Sequence, residues 1–192
     1  MFTSVQYLSI KNYILADPVM SAQVNNEDGD YAIAALLNAV ATPDFMIWNP
    51  VTIPNDVINA IDWSKYTPNA AVPTDTQLNV DVWRARLDAS WLKQSNIWAL
   101  LDVTNGAIDA TKANARAGLR DAVINVPTGA NGAATNPGGV SGVDVLTACT
   151  RKALLIEKIL TLGPAITGNV TADLPGFVGT IQLQQVSTAR RG

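Results

Sequence analysis

Proline and glycine breaks cut this chain into short pieces, and that punctuation limits its fold more than any other feature. Asp17-Pro18 and Thr42-Pro43 close the first two helical runs, and Asn105-Gly106 and Gly163-Pro164 close later ones. Proline disfavours a helical residue ahead of it, and Asn-Gly marks a turn. Between the breaks, apolar residues recur at helical spacing. Thr3 and Gln6 form a T-x-x-Q start for a helix over about 3–16. In DGDYAIAALLNAVATPDFMIW, residues 28–48, Asp28 or Asp30 is placed to cap a helix. Ile33, Leu36, Leu37 and Val40 supply its buried face, and FMIW follows as an irregular or extended link.

Pro54 suits the first turn of a third short helix. Residues 64–73 read as a loop, and Thr74 with Gln77 opens the longest helix, running to about Asp102. Its stripe of Val80, Leu87, Trp91, Trp98 and Leu101 predicts a face buried in the core or at a subunit interface. Another helix is expected over about 111–124, then a long flexible loop, PTGANGAATNPGGVSG, over 127–142. Val145, Cys149, Ala153, Ile156 and Leu160 predict one last helix over about 142–162. In GFVGTIQLQQV, Phe177, Gly179, Ile181 and Leu183 alternate with their neighbours, which predicts a strand over 176–186. A lone strand needs a partner, either AITGNVTA or a neighbouring molecule.

The expected fold is therefore mainly α: a bundle of about five to six helices with a C-terminal β-strand or hairpin arm. Residues 1–163 would form the helical body and 164–192 the arm. The core candidates are Leu36, Trp48, Leu87, Trp91, Trp98, Leu101, Cys149 and Ile156.

Charged residues make up 15% of the chain and apolar residues 48%, where an ordinary domain carries about 25% charged residues. Either the core is large or partner subunits cover much of the surface. A net charge of −3 and no basic stripe argue against a dedicated nucleic-acid binder. No apolar run reaches membrane-spanning length, and the N-terminus lacks the pattern of a signal peptide, so no membrane and a cytosolic origin are expected. The charge is unevenly spread: −7 over residues 1–82 and +4 over 83–192. The two halves can neutralise each other within one subunit or between neighbours.

With no histidine and one cysteine, the chain cannot build a Ser-His-Asp or Cys-His site, an intrachain disulfide or a thiolate zinc cluster. No phosphate-cradling GxxxxGK[ST] is present. Glu27, Asp28 and Asp30 cluster, but without calcium-loop spacing. We therefore expect no enzyme, cofactor or metal.

Five ordered pieces carry a resemblance: DGDYAIAALLNAVATPDFMIW, NDVINAIDWSKY, GAIDATKANARAGLRD, TRKALLIEKIL and FVGTIQLQQVSTAR. Together they resemble a family of small virion-associated proteins of tailed bacteriophages. The last piece matches a terminal F-x-G-x-[IL]-x-x-x-x-V-x-x-A-R pattern. Relatives usually carry Arg after the tryptophan, where this chain has Asn49. The resemblance implies a structural protein of the virion, made in the host bacterial cytoplasm. Its place would be the neck or tail region, as a head-to-tail adaptor ring touching portal and tail proteins and lying near DNA without sequence-specific contact. A tail or fibre-attachment component, a minor head protein, and a phage-encoded cytosolic binding protein are the alternatives. Phe177, Ile181, Leu183, Arg116, Arg120, Arg190 and Arg191 are the interface candidates.

Overall fold

The structure is a computed structural model and describes residues 2–63, 77–102, 106–124 and 142–192. The elements run α1 (Ser4–Ala16), α2 (Pro18–Ser21), α3 (Glu27–Leu37), β1 (Met46–Trp48), α4 (Pro54–Asn59), α5 (Gln77–Asp102) and α6 (Ala113–Val123). They continue with α7 (Gly142–Ala148), β2 (Thr150–Lys152), α8 (Leu155–Ile159), β3 (Thr161–Thr167), β4 (Val170–Pro175) and α9 (Leu183–Arg191). The mainly α expectation is corrected. The described residues also contain a four-stranded mixed sheet in the order β2-β1-β4-β3. Its β1 is parallel to β4, with Ile47 opposite Asp173.

The chain divides into two compact units. The first comprises Met1–Trp48, Arg151–Ala165 and Ala172–Gly192; the second comprises Asn49–Thr150 and Ile166–Thr171. The C-terminal residues are thus no separate arm, since most of them group with the N-terminal helices. In the first unit, α9 packs against α1 and α3, and α8 packs against the same two helices. Their shared core contains Ile10, Ile14, Ile33, Leu37, Ile156 and Val186. Trp48, at the end of β1, is fully buried, and its indole N–H donates to the Ala165 carbonyl at 2.9 Å. In the second unit, α6 packs against α5 and α7, and α4 against α7.

Local chemistry explains the element boundaries. Thr3 and Gln6 form the predicted capping box: the Gln6 N–H donates to Thr3 Oγ1, and the Thr3 N–H donates to Gln6 Oε1. The predicted cap of α3 is corrected. Asn26 holds that place, accepting from the Gly29 N–H, while Asp28 stays exposed and Asp30 turns inward. The helix also ends earlier than Thr42-Pro43, with Asn38 at its C-cap.

Two larger corrections concern the C-terminal half. The single helix expected over 142–162 is instead α7, β2 and α8. Its predicted face is nonetheless buried, with Val145, Cys149, Ala153 and Ile156 all inaccessible. Ala153 is held extended because its N–H donates to the Phe45 carbonyl and its own carbonyl accepts from the Ala41 N–H. The strand expected over 176–186 is also absent. Gly179 takes φ +110°, and Gln185 Oε1 accepts from the Gln182 N–H to start α9. The strand partner AITGNVTA is instead the turn of the β3–β4 hairpin. The loop over 127–142, apart from Gly142, and the T-x-x-Q start at Thr74 lie outside the described residues.

Gly29 shows how closely the first unit is packed. A Cβ at this position would lie 1.9 Å from the Val24 carbonyl oxygen. At an open helical site alanine in place of glycine is stabilising. Here Gly29→Ala should destabilise by about 1–3 kcal/mol, measured as a lower urea midpoint.

Candidate functional site

Among the described residues, the charged groups that fold inward lie at three places. The first is Asp30, the residue one turn ahead of Ile33, Ala34 and Leu37 on the buried face of α3. Its Oδ1 accepts from Arg190 Nη1 at 2.7 Å and its Oδ2 from Arg191 Nη2 at 2.6 Å. Arg190 continues to the Val24 and Gln23 carbonyls. Arg191 donates from Nε to Asn25 Oδ1 and also reaches the Ser187 hydroxyl. The end of α9 therefore grips the turn leading into α3. The cations also sit in the last turn of α9, where they complement the helix dipole.

The second place is Glu157, whose side chain is inaccessible to solvent. Arg151 donates to both of its oxygens at 2.6 and 2.7 Å. The Leu154 N–H adds 2.9 Å to Oε2 and the Gly179 N–H 3.1 Å to Oε1. Burial pushes this carboxyl up, but these donors and the Arg151 charge bring it below its ordinary value.

The third place is Arg116, which is buried in the second unit. It donates to Thr167 Oγ1 and to the Ala110 and Thr111 carbonyls. Burial lowers the pKa of its guanidinium, against the opposing charge of Asp109.

These arrangements lock backbone segments; their oxygens already accept from several donors. Cys149 is buried, and that burial raises its thiol to about 11. It is consequently a thiol and not a thiolate at neutral pH. Among the described residues, no group of three His, Cys, Asp or Glu could hold a metal ion, and no helix is long and apolar enough to cross a membrane.

The sequence-predicted residues fall into three groups. Trp48, Leu101, Cys149 and Ile156 are buried as core candidates, while Leu36 and Leu87 are half-buried. Trp91 and Trp98 are corrections, 57% and 48% exposed; Trp98 stacks on Trp63 at 5.5 Å. The buried face of α5 runs through Ser90, Ile97 and Leu101, and Trp91 and Trp98, each one residue on from Ser90 and Ile97, turn away from it. Of the interface candidates, Ile181 and Arg116 are buried within the chain, and Arg190 and Arg191 are spent on Asp30. Phe177 is half-buried with its ring edge against Phe2 at 4.7 Å. Leu183 is half-buried and Arg120 is exposed beside Gly168.

Sequence reasoning missed Asp30, Asn38 and Glu157 as anchors. Asp30 was detectable as a carboxylate on the apolar side of its helix. Glu157 stands one turn from Leu160 and is one of only two glutamates. Asn38 carried no such signal. Its amide donates to the Ile181 carbonyl and accepts from the Ile181 N–H, 143 residues away. The acidic N-terminal and basic C-terminal segments meet within one subunit at Asp30 with Arg190 and Arg191, and at Asp44 with Lys152.

No family model, no curated protein and no solved structure matches this chain.

Two measurements test the anchors. A carboxyl held below its ordinary value adds stability that is complete above that value, near pH 4.5, and disappears as pH falls through the lower folded value. Glu157→Gln should lose stability at neutral pH and show a shallower stability decline below pH 4.5 in urea titrations. Asp30→Ala leaves two guanidiniums without their anion and should cost about 3–5 kcal/mol. Adding Arg190→Ala should cost less than the sum of the two single changes, read from a double-mutant cycle.

Proposed function

We propose that this chain is a structural protein of a tailed-bacteriophage virion, placed as a head-to-tail adaptor in a ring between portal and tail. The reading rests on the five ordered sequence pieces. One structural observation supports it: the fixed positions of the terminal pattern are the contact positions of the first unit. Phe177 packs on Phe2, and Gly179 donates to Glu157. Ile181, Val186 and Ala189 are buried. Arg190 holds Asp30. In this reading the fixed positions of the pattern are the ones on which the packing of the first unit depends.

The same holds for DGDYAIAALLNAVATPDFMIW. Gly29 fits beneath the Val24 carbonyl, Ile33 and Leu37 fill the core, Asn38 pins Ile181, and Ile47 and Trp48 are fully buried. These two pieces, at opposite ends of the chain, are built against each other. In this reading the work of the chain is to present a rigid surface to neighbours, with no chemistry asked of any side chain.

Mass spectrometry of purified particles tests the proposal. The protein should be present, in a copy number comparable with portal subunits. Absence from particles overturns the virion reading. A copy number matching fibres or tail spikes overturns the adaptor placement in favour of a fibre-attachment component.

A further inference from the structure

Helix α1 carries one charged residue, Lys11, in thirteen. Its inner side buries Ile10 and Ile14, yet its outer side is apolar as well: Val5 is 73%, Leu8 56% and Leu15 65% exposed. Ser4, Gln6, Ser9, Lys11 and Asn12 are its polar residues, yet exposed Val5, Leu8 and Leu15 gain nothing from contact with water. In the single chain only one side of α1 is covered. Leu8, Lys11 and Leu15 follow at helical spacing, so they share one face. Beside that face run two grooves. One, about 420 Å³, lies between α1 and α9 and includes Tyr7, Leu8, Lys11 and Ala189. The other, about 240 Å³, includes Lys11, Leu15, Met20 and Gln23. Lys11 lines both, and it makes no ion pair among the described residues.

The first unit also displays the complementary chemistry. At the start of α3, Glu27 and Asp28 are exposed and make no ion pair among the described residues, between exposed Val24 (61%) and Tyr31 (58%). Asp28 and Tyr31 are one turn apart and so share a face. One surface thus sets exposed apolar side chains around Lys11, with Arg190 in the adjoining groove already committed to Asp30, and the other sets Val24 and Tyr31 around two anions.

We propose that the outer face of α1 docks a second copy of this chain through that copy's Val24, Glu27, Asp28 and Tyr31, with Lys11 meeting the acidic pair. The inference deepens the ring reading above and rests on it for its biological setting. Apolar contact supplies the attraction, and the charges select the partner surface and register. Unlike surfaces meeting in this way also make a heterologous contact possible, and such contacts build rings when the rotation closes.

Sedimentation velocity on the full chain over a concentration series provides the test, with thermal melts confirming that each variant is folded. Wild-type protein should self-associate, less so at high salt, because salt screens the charges. Lys11→Glu should weaken association at least about tenfold, equivalent to about 1.4 kcal/mol. The pair Glu27→Lys with Asp28→Lys should do the same, and combining all three should restore association. If the lysine pair weakens α3, Glu27→Gln with Asp28→Asn replaces it and should still reduce association. Leu15→Asp should abolish association without lowering the melting temperature. A wild-type chain that stays monomeric throughout overturns the proposal, as does association indifferent to Lys11→Glu. Retention of the monomer by portal through Lys11 would also overturn it, in favour of an acidic partner protein. The two readings fail separately. Charge-swap rescue in solution with no protein in particles refutes only the virion placement. Normal particles carrying Lys11→Glu refute only the docking surface.

Discussion

Asp30 enters the apolar side of α3 as a charged group, and the first unit is arranged around the need to compensate it. A buried carboxylate is tolerable only when paired and hydrogen-bonded. Its partners, Arg190 and Arg191, lie some 160 residues away in sequence, so the compensation draws the last helix onto the first part of the chain. Once α9 is there, Val186 and Ala189 reach the core beside Ile10, Ile14 and Ile33. Removing either side of the ion pair would leave the other buried and would loosen the packing it directs.

The connection from β4 to α9 obeys the same logic by other means. Residues 176–182 belong to neither helix nor sheet, so side chains must satisfy their backbone. Glu157 accepts from Gly179, and Asn38 bonds both ways with Ile181. Gln6 donates to the Gly176 carbonyl. Each of these side chains stands in for a missing strand partner, and each comes from a different helix. The connector is thereby tied to α1, to the end of α3 and to α8.

Such a design places a few charges inside an otherwise apolar core and leaves several large apolar side chains outside. With only 15% charged residues, and with several of those used in Asp30 and Glu157 clusters, little charge remains to solvate the outer surfaces. The uncovered side of α1 is the clearest result. A surface of this kind suits a subunit that spends its life against neighbours, and this agrees with the assembly role proposed from the ordered sequence pieces.

By itself the sequence determined the start of α1, the stop at Asp17-Pro18 and many of the buried positions, whereas Gly163-Pro164, read as a stop, lies inside β3. Thr3 with Gln6 marked α1, and the apolar periods marked α3 and α5, because capping and burial of a face are local properties of a helix. It also identified Cys149, Ala153 and Ile156 as buried. Tertiary structure decided what backbone those residues adopt. Over 150–153 the chain extends because the segment Ala41 to Phe45 offers hydrogen-bond partners, which no local period reveals. Over 177–183 the alternation looked like a strand, but side chains of Asn38 and Glu157 supplied the bonds that a ladder would have given. Trp91 and Trp98 followed a buried stripe on paper, whereas exposure depends on what lies opposite a helix, and only the folded chain sets that. Arg190 and Arg191 likewise looked like free cations at a chain end. Their role was fixed by Asp30, a contact between residues too distant in sequence for any local rule to join.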